Sequence, residues 1–137
     1  VATRLYKNKL VSTDPASIGD PSEFVSEFLI YFNNQDVLNI EKVTSSPFYF
    51  NDEKYSKYTD AFNFEGLINN GWSYSSIINV KTLFNNGHAA LISFDFARHN
   101  SEDIPYLKSR VFYMLTVEEG RWILNGGYTP NPLPMGN

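Results

Sequence analysis

The segment "ISFDFARHNSEDIPYLKSRVFYML" (residues 92–115) holds the side chains with the greatest chemical reach in this sequence. It reads as two strands around a polar turn, with Asp95 interrupting the first and Arg110 the second. Either charge is costly to bury alone, and a partner offsets that cost. A hairpin that sets Phe94 opposite Val111 also sets Asp95 opposite Arg110. Such a pair either fixes strand register or presents a guanidinium that can clamp a carboxylate or an enolate. His99 ends the first strand beside Arg98 and Asn100. It is either a solvated loop residue or a base or donor at a pocket rim. His88 follows an "NNG" turn and reads as a surface turn residue.

Other chemistries find no support. There are no cysteines, so disulfides and thiolate nucleophiles are excluded. Two histidines without an acidic cluster around either argue against a metal, and no cofactor is expected. "NFEGLINNG" lacks the glycine spacing and the lysine of a phosphate loop. The serines lack the context of a nucleophile elbow. The net charge is −4 and the basic residues are scattered, so nucleic acid is not an expected partner. No apolar run is long enough to span a membrane.

The elements that must position these residues follow from the patterning. A chain of 137 residues, 42% hydrophobic and 19% charged, suits one globular domain with one core. Aromatics reach 16%, which favours a cavity or interface lined with rings. Tyr31, Tyr49, Trp72 and Tyr128 are either ring walls with polar tips or core. At "GDPSEF", Asp20 is a good N-cap and Pro21 fits the first helical position. The helix that follows sets Phe24, Phe28, Tyr31 and Phe32 on one side. "NNQD" breaks it, and Asp36 caps a short second helix. "SSPFYFND" reads as a short strand and "TDAFNFEGLINNG" as a third helix ending at Gly71. From Trp72 onward the pattern is a long antiparallel meander. The whole is an α+β domain over residues 20–130, with an N-terminal arm (1–19) and a loose Pro-rich tail (131–137). The chain opens on Val1 without an initiator methionine, which reads as a trimmed start. A cytoplasmic location is expected, or an exported one if the trimmed piece was a signal peptide.

The pattern "FLIYFNNQDVLNIEKV", a helix broken at a polar-Asp turn into a short second helix, together with the ending "EEGRWIL", resembles the NTF2-like, or SnoaL-like, superfamily. The resemblance covers roughly residues 21–130. It implies a cone in which three N-terminal helices pack on the concave face of a curved antiparallel sheet around a pocket. By the pattern of the ketosteroid isomerases in that superfamily, the catalytic base falls on Asp52, which is otherwise a turn aspartate. The positions that hold the enolate oxygen fall on Phe28 and Arg110. Phe28 cannot donate a hydrogen bond, whereas Arg110 can stabilise an oxyanion. The same alignment sends Ser93, Asp95, Ala97 and Arg110 to the concave face. Ile92, Phe94, Phe96, Val111, Tyr113 and Leu115 then form a convex apolar row, expected to be buried in a homodimer or covered by the N-terminal arm. The resemblance implies a pocket that binds a small, mostly apolar organic ligand. The expected pocket residues are Phe28, Tyr31, Tyr49, Trp72, Ser93, Asp95 and Arg110. The alternative is an isomerase, cyclase or dehydratase working without a cofactor, with Asp52 or His99 as base and Arg110 as electrophilic partner.

Overall fold

A computed structural model describes residues 18–136. Helix α1 (Pro21–Asn33) starts where the sequence indicates: the Asp20 carboxylate accepts from the Ser22 amide at 2.9 Å, and Pro21 follows the cap. Phe24, Val25, Phe28 and Phe32 form its buried stripe. Helix α2 (Val37–Lys42) is capped by Asp36 and buries Ile40. The expected third helix is two short ones, α3 (Tyr58–Ala61) and α4 (Phe64–Asn69). They are separated by Phe62 in an extended conformation and by Asn63, which caps α4 through the Gly66 amide. Among the described residues, no helix is long and apolar enough to cross a membrane.

The sheet has six strands: β1 (Thr44–Phe50), β2 (Glu53–Tyr55), β3 (Tyr74–Asn85), β4 (Ala89–His99), β5 (Pro105–Glu118) and β6 (Arg121–Tyr128). Their spatial order is β2-β1-β6-β5-β4-β3. β1 runs parallel to β6, so the sheet is mixed and not purely antiparallel as expected. A parallel neighbour needs a long crossover, and local patterning carries no trace of it. Here the crossover spans α3, α4 and four strands, β2 to β5. Register shifts in β3, β4 and β5 bend the long strands around α1.

The β4–β5 register is the one expected, with Phe94 opposite Val111 and Asp95 opposite Arg110. The two faces are the reverse of those expected. Ile92, Phe94, Val111 and Leu115 are buried in the core with the α1 rings, and Phe96 and Tyr113 pack against them. Ser93, Asp95, Ala97 and Arg110 therefore point to the convex side. The physical reason is simple: helices cover the row with the larger apolar area, and the charged row goes to water.

The tail is also not loose over its described part. It has no regular secondary structure, but Leu133 and Met135 pack on the core. The Asn63 amide donates to the Met135 carbonyl at 3.0 Å. Of the expected arm, residues 1–17 lie outside the described residues. Ile18 packs on the core, and the Gly19 carbonyl accepts from the Trp122 indole at 3.1 Å.

Candidate functional site

Between α1 and the concave face lies a cavity of ≈ 70 Å³, room for a handful of waters at ~10–15 Å³ each. α1 supplies Val25, Phe28, Leu29 and Phe32, and β1 supplies Phe48 and Phe50. β4 and β5 supply Phe94, Phe96, Val111 and Tyr113, while Leu133 and Met135 of the tail close one side. Several of the rings meet edge to face. Phe28 stands against both Tyr58, at 5.4 Å between centroids, and Tyr113, at 5.9 Å. Phe94 meets Tyr113 at 4.9 Å. This geometry suits the ring quadrupoles. On β6, a Cβ at Gly127 would stand 3.3 Å from the Tyr113 ring, so glycine there leaves the phenol its place.

Four polar side chains interrupt this apolar wall: Ser75, Tyr58, Tyr113 and Arg98. Ser75 is tied to the frame. Its Oγ accepts from the Trp72 indole at 3.0 Å, and Asn33 of α1 holds its backbone N–H and carbonyl. Burial pushes the Tyr58 phenol well up, and the nearby Tyr113 adds to the rise. Burial alone does the same at Tyr113. Both are therefore neutral hydrogen-bond donors at neutral pH. Arg98 is 3% exposed. Burial lowers its pKa, yet a guanidinium stays charged. One of its Nη1 hydrogens goes to the Pro134 carbonyl, and it lies over the Phe62 and Phe96 rings at 5.9 and 5.8 Å.

The residues singled out in the sequence scatter around this centre. Phe28 is in the cavity wall. Trp72 is buried one layer away, against Phe32 and Phe64. Tyr31 bonds Glu27 on an exposed flank of α1, and Tyr49 is exposed on the convex face. Asp52 lies in the two-residue β1–β2 turn, where φ is +47° at Asn51 and +69° at Asp52. It is exposed and outside the cavity, as its turn alternative has it. His99 stacks flat on Tyr74 at 4.5 Å and bonds Ser76 at 2.8 Å, again outside the cavity. Ser93, Asp95 and Arg110 sit on the opposite face of the sheet. Among the described residues, no group of His, Asp and Glu side chains converges on a metal-sized point.

Sequence reading missed Tyr58, Tyr113 and Arg98 as pocket residues. The signal was present for Arg98. It continues the period of two through Ile92, Phe94 and Phe96, so whichever face holds those rings also holds the guanidinium.

Asp95 and Arg110 do pair, with Nε to Oδ1 at 2.9 Å, and Asn79 on the neighbouring strand donates to Oδ2 at 3.0 Å. The pair is solvent-accessible, with side-chain exposures of 57% for Arg110 and 28% for Asp95. It is therefore a surface clamp across three strands, of small energetic weight. The Arg110 and Asn79 hydrogen bonds hold the Asp95 carboxyl below its ordinary pKa. A depressed folded-state pKa gives stability that is present above the unfolded value and is lost as pH falls through the folded one. Asp95→Asn is expected to lower the thermal midpoint slightly at pH 6, with the gap closing towards pH 2 and in 1 M salt. A gap that stays constant across both series would contradict a surface ion pair.

Solved structures with this arrangement can be compared directly. An NTF2-like superfamily protein from Salmonella enterica serovar Typhimurium superposes with a TM-score of 0.57 at 13% identity, covering 82% of this chain and 89% of that one. The chain has the NTF2-like fold. Within that fold, an NTF2-like protein from Cytophaga hutchinsonii gives a TM-score of 0.58 at 13% identity, over 76% of this chain and 88% of that one. A protein from Shewanella frigidimarina, provisionally named a ketosteroid isomerase, gives 0.61 at 9% identity, over 82% and 96%. No family model and no curated protein matches the sequence. At these identities the NTF2-like likeness extends to the architecture and leaves the chemistry to the cavity itself.

Proposed function

We propose that this NTF2-like domain binds a small, mostly apolar organic ligand in the cavity beneath α1. The observation that carries this reading is the composition of the wall: aromatic and aliphatic side chains, with donors but no base. An acid/base reaction at a carbon needs a group to take the proton. Among the described residues, no carboxylate and no imidazole lines the cavity, and both phenols are held neutral. That favours binding over the isomerase, cyclase or dehydratase alternative. The test is calorimetry with small neutral probes such as indole and cyclohexanol, on the wild type and on Val111→Phe, which fills the cavity. Wild-type binding that Val111→Phe abolishes is expected. No binding at millimolar concentrations, or equal binding by both proteins, would overturn the reading.

We also propose a homodimer through the convex face, now with a different set of residues. Tyr49, Met114 and Tyr128 are all about half exposed there, and Tyr128 sits against Phe112 at 6.1 Å. A two-fold contact would bury this aromatic band against its own copy. Met114→Asp is expected to give a folded monomer in sedimentation, while wild type runs as a dimer. A monomeric wild type at concentrations well above micromolar would exclude it.

A further inference from the structure

We infer that the cavity's ligand is an amphipathic monocarboxylate whose anionic end rests on Arg98. This deepens the binding reading above and depends on it. The starting point is a buried charge with no ion-pair partner among the described residues. Buried arginines normally face a carboxylate, because an isolated cation in an apolar interior is strongly disfavoured. The ion pairs among the described residues are Lys57–Glu41 and Asp95–Arg110, and neither involves Arg98. Among the described residues, its hydrogen-bond and ring contacts are one carbonyl, that of Pro134, and two ring faces. Ring faces and a single carbonyl soften the cost without neutralising the charge. A guanidinium carries five N–H donors in a planar fork, a shape that fits the two oxygens of a carboxylate.

The other polar groups of the cavity point to the same chemistry. Tyr58 and Tyr113 line the cavity and form no hydrogen bond to any described residue. No fully enclosed side-chain nitrogen or oxygen among the described residues lacks a partner. Arg98 and the two phenols all line the cavity. One cation, with one of its hydrogens taken by the Pro134 carbonyl, and two neutral donors form a cradle for an anion. The rest of the wall fixes the remainder of the ligand. Phe28, Phe48, Phe94 and Val111 accept an apolar body, and the cavity volume limits it to about one ring or a short chain. Met135, unbranched and adaptable, can shift to admit it.

The probes are benzoate and hexanoate, each against its uncharged amide, measured by calorimetry at pH 7 on the wild type, Arg98→Met and Arg98→Lys. The wild type is expected to prefer each carboxylate over its amide by about 10- to 100-fold, the range of a hydrogen bond to a charged group. Arg98→Met should erase that preference and leave amide affinity unchanged, and Arg98→Lys should keep part of it. Equal wild-type affinity for acid and amide would overturn the anion inference and leave the apolar pocket standing. Binding of neither would overturn both. The wild-type comparison alone decides the matter if Arg98→Met does not fold. A carboxylate preference that survives intact in a folded Arg98→Met would place the anion elsewhere and overturn the role of Arg98.

Discussion

Phe94→Asp is expected to prevent folding, not merely to split a dimer. Phe94 is 5% exposed, in the middle of β4, between α1 and the sheet. Its ring meets Tyr113 edge to face. The substitution removes most of a buried aromatic, a loss of about 3–5 kcal/mol for truncation alone. It also places a carboxylate in an apolar layer, for which several further kcal/mol are typical unless the group protonates. A domain of this size is stable by only about 5–15 kcal/mol, so the sum reaches the whole margin. The measurement is circular dichroism and sedimentation side by side with Met114→Asp. Met114 lies on the next strand but faces the opposite way, so its variant should keep the native spectrum. A folded, monomeric Phe94→Asp would restore the inverted face assignment.

The second large effect is expected at the tail. A chain ending at Pro130 loses Leu133 and Met135 from the cavity wall, together with the carbonyl that accepts from Arg98. Full burial of such side chains is worth about 1.5–3 kcal/mol each, so two partly buried ones suggest a loss of about 2–4 kcal/mol. A point substitution gives the same information without shortening the chain. A Cβ at Gly66 would overlap the Gly136 carbonyl oxygen, so Gly66→Ala should lever the tail off α4. Alanine is the better helix former by about 1 kcal/mol, so tail docking and helix propensity pull in opposite directions. Denaturant midpoints decide between them. If Gly66→Ala is more stable than wild type and truncation is neutral, the tail does not hold the cavity closed.

These two experiments bear on the places where the sequence was hardest to read. Local signals were reliable: Asp20 and Asp36 cap the helices they were expected to cap, and Phe94 faces Val111 across β4 and β5. What a strand cannot reveal by itself is which of its two faces is covered, because a period of two is symmetric under exchange of faces. The isomerase pattern sends Asp95 and Arg110 inward, and with them it leaves Arg98 and Tyr113 on the outer face. The apolar weight of Ile92, Phe94 and Phe96 was the better guide. The tail misled for a related reason. Its prolines forbid regular hydrogen bonding, but they leave Leu133 and Met135 between them free to pack. The parallel β1–β6 pairing depends on chain segments some eighty residues apart, and no local motif announces it.

Trp72 gives the cavity an optical address. Its indole Nε1 is bonded to Ser75, a wall residue, while its ring is shielded by Phe32 and Phe64. Emission from such a buried site is expected to be blue-shifted and little quenched by iodide. An occupant that pulls on the Ser75 hydroxyl changes the field on the indole without touching the ring. Trp122, whose Nε1 is bonded to Gly19, does not line the cavity and supplies the constant background. Replacing Trp122 by Phe would leave one tryptophan reporting one hydrogen bond, so that filling of the cavity could be followed in milliseconds without a label.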